Sequence, residues 1–113
     1  MHSLVFLAIE FPSFRRELRQ AMQNEFKHVN YLWDDQKAAT LADDQVALFL
    51  YRSNILGADL RITNYGGGNT SCKTIEKDPL NGADTEVMWV KGSGGDIGTL
   101  TRSGIAGLYC ERL

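Results

Sequence analysis

The chain reads as a mixed α/β unit, and three observations predict it. Residues 46–56 carry Val46, Leu48, Phe49, Leu50, Tyr51, Ile55 and Leu56 around much of a helical circumference, the pattern of a helix packed on more than one side. Residues 70–75 and 86–90 are short strand-like runs on either side of a polar turn, the pattern of a local antiparallel pair. Two glycine-rich turns, Gly66-Gly67-Gly68-Asn69-Thr70-Ser71 and Lys91-Gly92-Ser93-Gly94-Gly95-Asp96, flank that pair.

The totals set the bounds. At 113 residues the chain is at most one ordinary domain, or a piece of a larger one. With 43% hydrophobic and 23% charged residues it has the material for a packed core. A formal net charge of −2, with no block of like charge, argues against a general nucleic-acid binder, which normally carries a basic face. Cys72 and Cys110 form no CxxC pair and read as reduced thiols of a cytoplasmic protein, Cys72 buried in a strand and Cys110 on a helix face. The apolar run Leu4-Val5-Phe6-Leu7-Ala8-Ile9 is too short to span a bilayer. It has no basic stretch before it and no small-residue cleavage site after it, so no signal peptide is expected either.

Taken in order, residues 14–25 are expected to form a short amphipathic helix with Phe14, Leu18, Met22 and Phe26 on one face. Residues 24–33 read as an aromatic-rich irregular arm packed on the body, with His28 an arm residue. Asp34 and Asp35 are the N-cap candidates of a helix to about residue 41. Asp43 or Asp44 caps the next, which runs to about residue 56 and stops before Gly57. The chain then turns at Ala58-Asp59 into a strand, Leu60-Arg61-Ile62-Thr63. Residues 70–75 form a strand, residues 76–82 a turn containing Asn81-Gly82, and residues 86–91 the returning strand. Thr101 or Ser103 starts a final helix carrying Ile105, Leu108 and Tyr109. Three strands leave edges that need covering, and the apolar helix wants more partners than the chain supplies, so the sequence reads as incomplete.

The chemistry is concentrated in the two glycine turns. Glycine reaches positive φ without strain and lets backbone approach a ligand closely. Outward-pointing amides followed by Asn69, Thr70 and Ser71 suit an anion, and two such turns suggest a two-sided cradle for a phosphorylated ligand. Linear spacing does not establish that the turns meet. Plainer readings stand beside this one. Asn69 is also suited to bonding local backbone in a turn. Asp96 is expected to cap or solvate its turn rather than to hold a substrate hydroxyl. Trp33, Phe49 and Trp89 read as core, and Arg52 and Arg61 as surface or paired residues. The glycines lack the GxGxxG spacing of a dinucleotide fingerprint, and no GxxxxGK[ST] motif is present.

Together these residues resemble the class II aldolase/adducin family. The resemblance rests on Gly68-Asn69-Thr70-Ser71, on Val90-Lys91-Gly92-Ser93-Gly94 after one hairpin, and on Leu100-Thr101, and it runs from about Asp34 to the C-terminus. Tyr31-Leu32-Trp33-Asp34-Asp35, Tyr51-Arg52-Ser53-Asn54 and Trp89-Val90-Lys91-Gly92-Ser93-Gly94-Gly95-Asp96 are similar to the bifunctional rhamnulose-1-phosphate aldolase/alcohol dehydrogenase type. The resemblance implies the N-terminal part of an α/β/α fold with a central, largely antiparallel sheet, usually assembled as a tetramer. It implies binding of a ketose phosphate or dihydroxyacetone phosphate, with Gly68 and Asn69 contributing from the first turn and Ser93 and Gly94 from the second. Lys91 is expected to add charge at the rim, an inference from its position rather than from the family.

The resemblance also implies a zinc ion that polarises the substrate carbonyl, held by histidines that include a His-x-His pair, with a glutamate moving the proton. This sequence has only His2 and His28, both upstream of the first turn and unsuitably spaced for zinc, so no metal ligand and no catalytic residue is assigned in it. Two functions follow. One is the phosphate-binding N-terminal part of an aldolase that cleaves L-rhamnulose 1-phosphate to dihydroxyacetone phosphate and lactaldehyde, inactive by itself. The other is a non-catalytic fragment or interaction module of the same family. Residues 1–21 are expected to be an upstream extension, with Met22 the natural start and residues 22–113 the family portion.

Overall fold

In the computed structural model, residues 12–25 and 30–113 are described. The readings placed on residues 1–11, on Phe26 and His28 in the arm, and on the Met22 side chain lie outside them. Helix α1 spans Pro12–Glu25, α2 Asp35–Thr40 and α3 Gln45–Ala58, followed by strands β1 Ser71–Lys77, β2 Asp84–Lys91 and β3 Ile105–Tyr109. Short 3-10 turns occupy Ile97–Thr99, Arg102–Gly104 and Cys110–Arg112.

Local chemistry explains the helix starts. Pro12 opens α1, where its missing N–H would have had no partner in any case. Asp34 caps α2 by accepting from the amides of Gln36 and Lys37, which holds its carboxyl below the usual aspartate range. Asp44, not Asp43, caps α3 through the Ala47 amide. The arm ends as expected: Trp33 lies 5.4 Å from the Tyr51 ring and donates from Nε1 to Asp35.

The strands form an antiparallel meander in the order β1-β2-β3. Pairing sets Cys72 opposite Trp89, Thr74 opposite Val87, Trp89 opposite Gly107 and Val87 opposite Tyr109, so these residues share one face. The Trp89 indole donates to Thr74 Oγ1 on that face. The β1–β2 hairpin closes over Asp78, which accepts from the Gly82 amide, with Gly82 at φ 72°. Helix α3 buries one stripe, Val46, Phe49, Ser53 and Gly57, and the core adds Val87, Ile97 and Leu100. Its remaining apolar residues, Leu48, Leu50 and Ile55, are half-buried, and Leu56 is exposed. Cys72 is half-buried in β1, and burial pushes its thiol upward from the ordinary range.

Three expectations are corrected. Residues 60–63 form a turn, not a strand: the Asp59 carbonyl accepts from Ile62 and Thr63, and its carboxylate takes the Arg61 amide and guanidinium. A carboxylate that gathers the next residues' donors supplies a turn where the side-chain pattern alone suggested a strand. The final segment is β3 followed by a 3-10 turn, so Cys110 begins that turn rather than lying on a helix face. Ile105, Leu108 and Tyr109 suit a helix as well as a strand, but the free edge of β2 offers backbone partners, and Gly107 lets the Trp89 ring lie against the chain. Helix α3 also passes through Gly57 to Ala58. Gly57 is buried there because the backbone of Gly98 packs directly on it: a Cβ on Gly57 would stand 2.1 Å from Gly98 N.

Candidate functional site

The hairpin decides where the two glycine turns go. The first turn leads into β1 and the second leaves β2, and an antiparallel pair puts the start of one strand beside the end of the other. Ser71 pairs with Val90, and the Lys91 amide donates to the Thr70 carbonyl at 3.1 Å, so the turns extend from the same end of the sheet.

They also touch. Gly66 N–H donates to Asp96 Oδ1 at 3.2 Å, and Ile97 N–H donates to the Gly67 carbonyl at 3.2 Å. Gly66, Gly68 and Gly94 all hold positive φ, at 74°, 87° and 82°. Gly68 needs glycine for a second reason, because a Cβ there would meet Ile97 Cγ2 at 2.8 Å. Gly94 has open space around it, so only its backbone angle favours glycine.

Helix α3 carries both turns. Ser53, fully buried, donates to the Phe49 carbonyl and meets Thr70 Oγ1 at 2.9 Å, which ties the helix to the end of the first turn. Asn54 Nδ2 donates to the carbonyls of Ile97 and Leu100, each at 3.1 Å, which ties it to the segment after the second turn. In the sequence these two residues stand out only within the stretch Tyr51-Arg52-Ser53-Asn54. The signal for them was a polar pair inside an apolar helix, and buried polar groups need partners.

All four expected phosphate contacts lie in these turns. Gly68, Asn69, Ser93 and Gly94 are exposed. Among the described residues their amides donate to no acceptor, and the side chains of Asn69 and Ser93 make no hydrogen bond. Asn69 therefore does not bond local backbone. Lys91 does not project at the rim; its Nζ donates to the carbonyls of Gly95 at 2.6 Å and Gly92 at 3.3 Å, bracing the second turn from within. Arg61 is paired with Asp59, whose carboxyl it holds down at about 2, and Arg52 reaches the Ser71 carbonyl at 3.4 Å. What remains is a set of unspent donors on glycine backbone, with the turn's carbonyls partly neutralised by an ammonium. Such a set suits an anion.

No His, Cys, Asp and Glu residues among those described come together as a group of three or more able to hold a metal ion. The described residues do not fit the zinc that the family resemblance implies.

No protein-family model matches the chain. A protein of Bacillus subtilis (strain 168), called an uncharacterized oxidoreductase, YuxG, is 49% identical over 83 residues, which are 74% of this chain and 12% of that protein. Among solved structures, the N-terminal class II aldolase domain of a conserved protein from Thermoplasma acidophilum matches with a TM-score of 0.55 and 36% sequence identity, over 61% of this chain and 32% of that one. The chain thus spans 12% of the length of the curated relative and 32% of the solved one. In sequence and fold this mixed helix and three-stranded antiparallel arrangement is similar to a class II aldolase N-terminal domain.

Proposed function

We propose that this chain supplies the phosphate-holding part of a class II aldolase domain, with a ketose phosphate or dihydroxyacetone phosphate as its ligand. The observation that carries the reading is the common end of β1 and β2, where two glycine turns meet with unspent amides. Gly68, Asn69, Ser93 and Gly94 donate to the phosphate oxygens, and the absence of a side chain at the glycines lets those oxygens reach the backbone. The phosphate anchors the substrate, and its carbonyl chemistry falls to residues other than those described here.

At finer grain, the substrate is L-rhamnulose 1-phosphate, cleaved to dihydroxyacetone phosphate and lactaldehyde in rhamnose catabolism, by a cytoplasmic homo-oligomer with α/β/α layering and zinc chemistry. The quoted sequence stretches support this, and the oxidoreductase description of the Bacillus relative agrees with a two-activity protein of which this chain covers only the aldolase part. Among the described residues no helix is long and apolar enough to cross a membrane. Residues 1–21 are proposed as an extension before a start at Met22, although α1 runs unbroken from Pro12–Glu25 across that position. Mass spectrometry of the natural N-terminus tests this, and a native peptide starting before Met22 rejects it.

The test of the main reading is a titration of the chain with dihydroxyacetone phosphate, followed by backbone amide shifts. Shifts concentrated at residues 66–71 and 92–95 are expected. A well-dispersed spectrum that does not move rejects the reading.

A second reading, a non-catalytic interaction module of the same family, is favoured by one feature. An open groove of about 390 Å³ lies across the sheet face that carries Val87, Trp89, Gly107 and Tyr109, and reaches Glu76, Lys77 and Pro79 at the β1–β2 hairpin. Concentration-dependent association without phosphate-dependent shifts would favour it.

A further inference from the structure

We propose that Asp96 is a positioning residue that holds the first glycine turn in its ligand-ready shape; this rests on the phosphate reading above. Three consecutive glycines have more conformational freedom to lose than any other tripeptide, so an unrestrained turn weakens binding by the entropy of ordering it. Here the turn is restrained from outside. Asp96 Oδ1 accepts Gly66 N–H at 3.2 Å, Ile97 N–H donates to the Gly67 carbonyl at 3.2 Å, and the Ile97 side chain packs where a Gly68 Cβ would lie. The restraint is anchored in turn, because Asn54 holds the Ile97 and Leu100 carbonyls from α3.

The ordinary role for Asp96 does not apply. It stands at the N-cap position of the Ile97–Thr99 turn but makes no side-chain capping bond there. Its bond to Gly66 instead crosses 30 residues and links the two turns. Its charge argues the same way. A carboxylate beside a phosphate cradle repels the ligand, so any gain in binding from Asp96 comes through geometry rather than through charge.

Charge and geometry predict opposite results, and that contrast is the test. Inorganic phosphate and dihydroxyacetone phosphate are titrated against the chain and its D96A and D96N variants, with Gly66 amide exchange followed alongside. Asparagine keeps an oxygen to accept the Gly66 N–H and loses the negative charge; alanine loses both. Positioning predicts that D96A binds phosphate about tenfold more weakly, while D96N binds at least as tightly as the parent chain. Gly66 exchange is expected to quicken in D96A and to recover in D96N. If both variants bind more tightly than the parent, Asp96 acts by repulsion alone and the proposal is overturned; unchanged affinity in D96A overturns it too. Should D96A fail to fold, D96N decides alone, and weakened binding or faster Gly66 exchange in it overturns the proposal. A parent chain that binds no phosphate overturns the phosphate reading itself, a different result from a binding parent with an indifferent D96A.

Discussion

Single residues at this end of the sheet do distinguishable work, and substitution separates them. Gly68 and Gly94 share a positive φ, but Ile97 Cγ2 would lie 2.8 Å from a Cβ at Gly68, whereas Gly94 faces open space. Gly94→Ala is therefore expected to cost about 1 kcal/mol of backbone strain. Gly68→Ala is expected to cost more, about 2–3 kcal/mol, and to displace Ile97. Chemical denaturation of the two variants checks the order, and equal losses would show that the Ile97 contact relaxes freely. Asp59 gives a pH prediction. Arg61 holds its carboxyl at about 2, below the ordinary aspartate value near 3.9. The unfolded chain takes up that proton first, so the pair's stabilisation is complete above about pH 4 and is lost as pH falls through about 2. Asp59→Asn is expected to flatten the acid limb of the stability profile in that window. An unaltered acid limb would mean that other carboxylates govern it.

At the level of elements, α3 acts as the frame on which the turns are hung, and Gly57 is its test. Helix propensity alone predicts that Gly→Ala inside a helix stabilises by about 1 kcal/mol. The contact with Gly98 predicts the reverse, because the Cβ would lie 2.1 Å from Gly98 N and 2.4 Å from its Cα, atoms that cannot rotate away. Gly57→Ala is expected to destabilise by about 3 kcal/mol and to disturb the amides of residues 96–98. A stabilised variant would refute the packing of α3 on the Ile97–Thr99 turn. The sign alone decides.

Over the whole molecule, apolar surface remains uncovered. Leu60, Tyr65, Ile75 and Leu80 are 63%, 83%, 67% and 86% exposed, while the buried apolar core is Val46, Phe49, Val87, Ile97 and Leu100 among the described residues. Apolar side chains left that open to water contribute little burial free energy, so a low, broad thermal transition is expected. A cooperative melt at high temperature would contradict this. Ligand is expected to raise the midpoint, because binding to the folded state alone adds about 2.7 kcal/mol at a hundredfold excess over Kd, roughly 10 °C for a chain of this size. Calorimetry with and without dihydroxyacetone phosphate measures it.

What the sequence determined by itself was local. The pairs Asp34-Asp35 and Asp43-Asp44 marked the helix starts to within a residue, because a cap is a bond between near neighbours, and the polar turn at residues 76–82 announced the hairpin. The two glycine-rich turns stood out by composition, whereas Gly68, Asn69, Ser93 and Gly94 were singled out within them only through the resemblance to the class II aldolase/adducin family. Tertiary structure decided whatever depended on a distant partner. Ile105, Leu108 and Tyr109 fit helix and strand equally until the edge of β2 drew them into β3. Gly57 read as a stop until Gly98 occupied the space of its missing side chain. Asp96 read as a cap until the hairpin brought it to Gly66, since a hydrogen bond between residues far apart in the chain leaves no mark on the spacing of either.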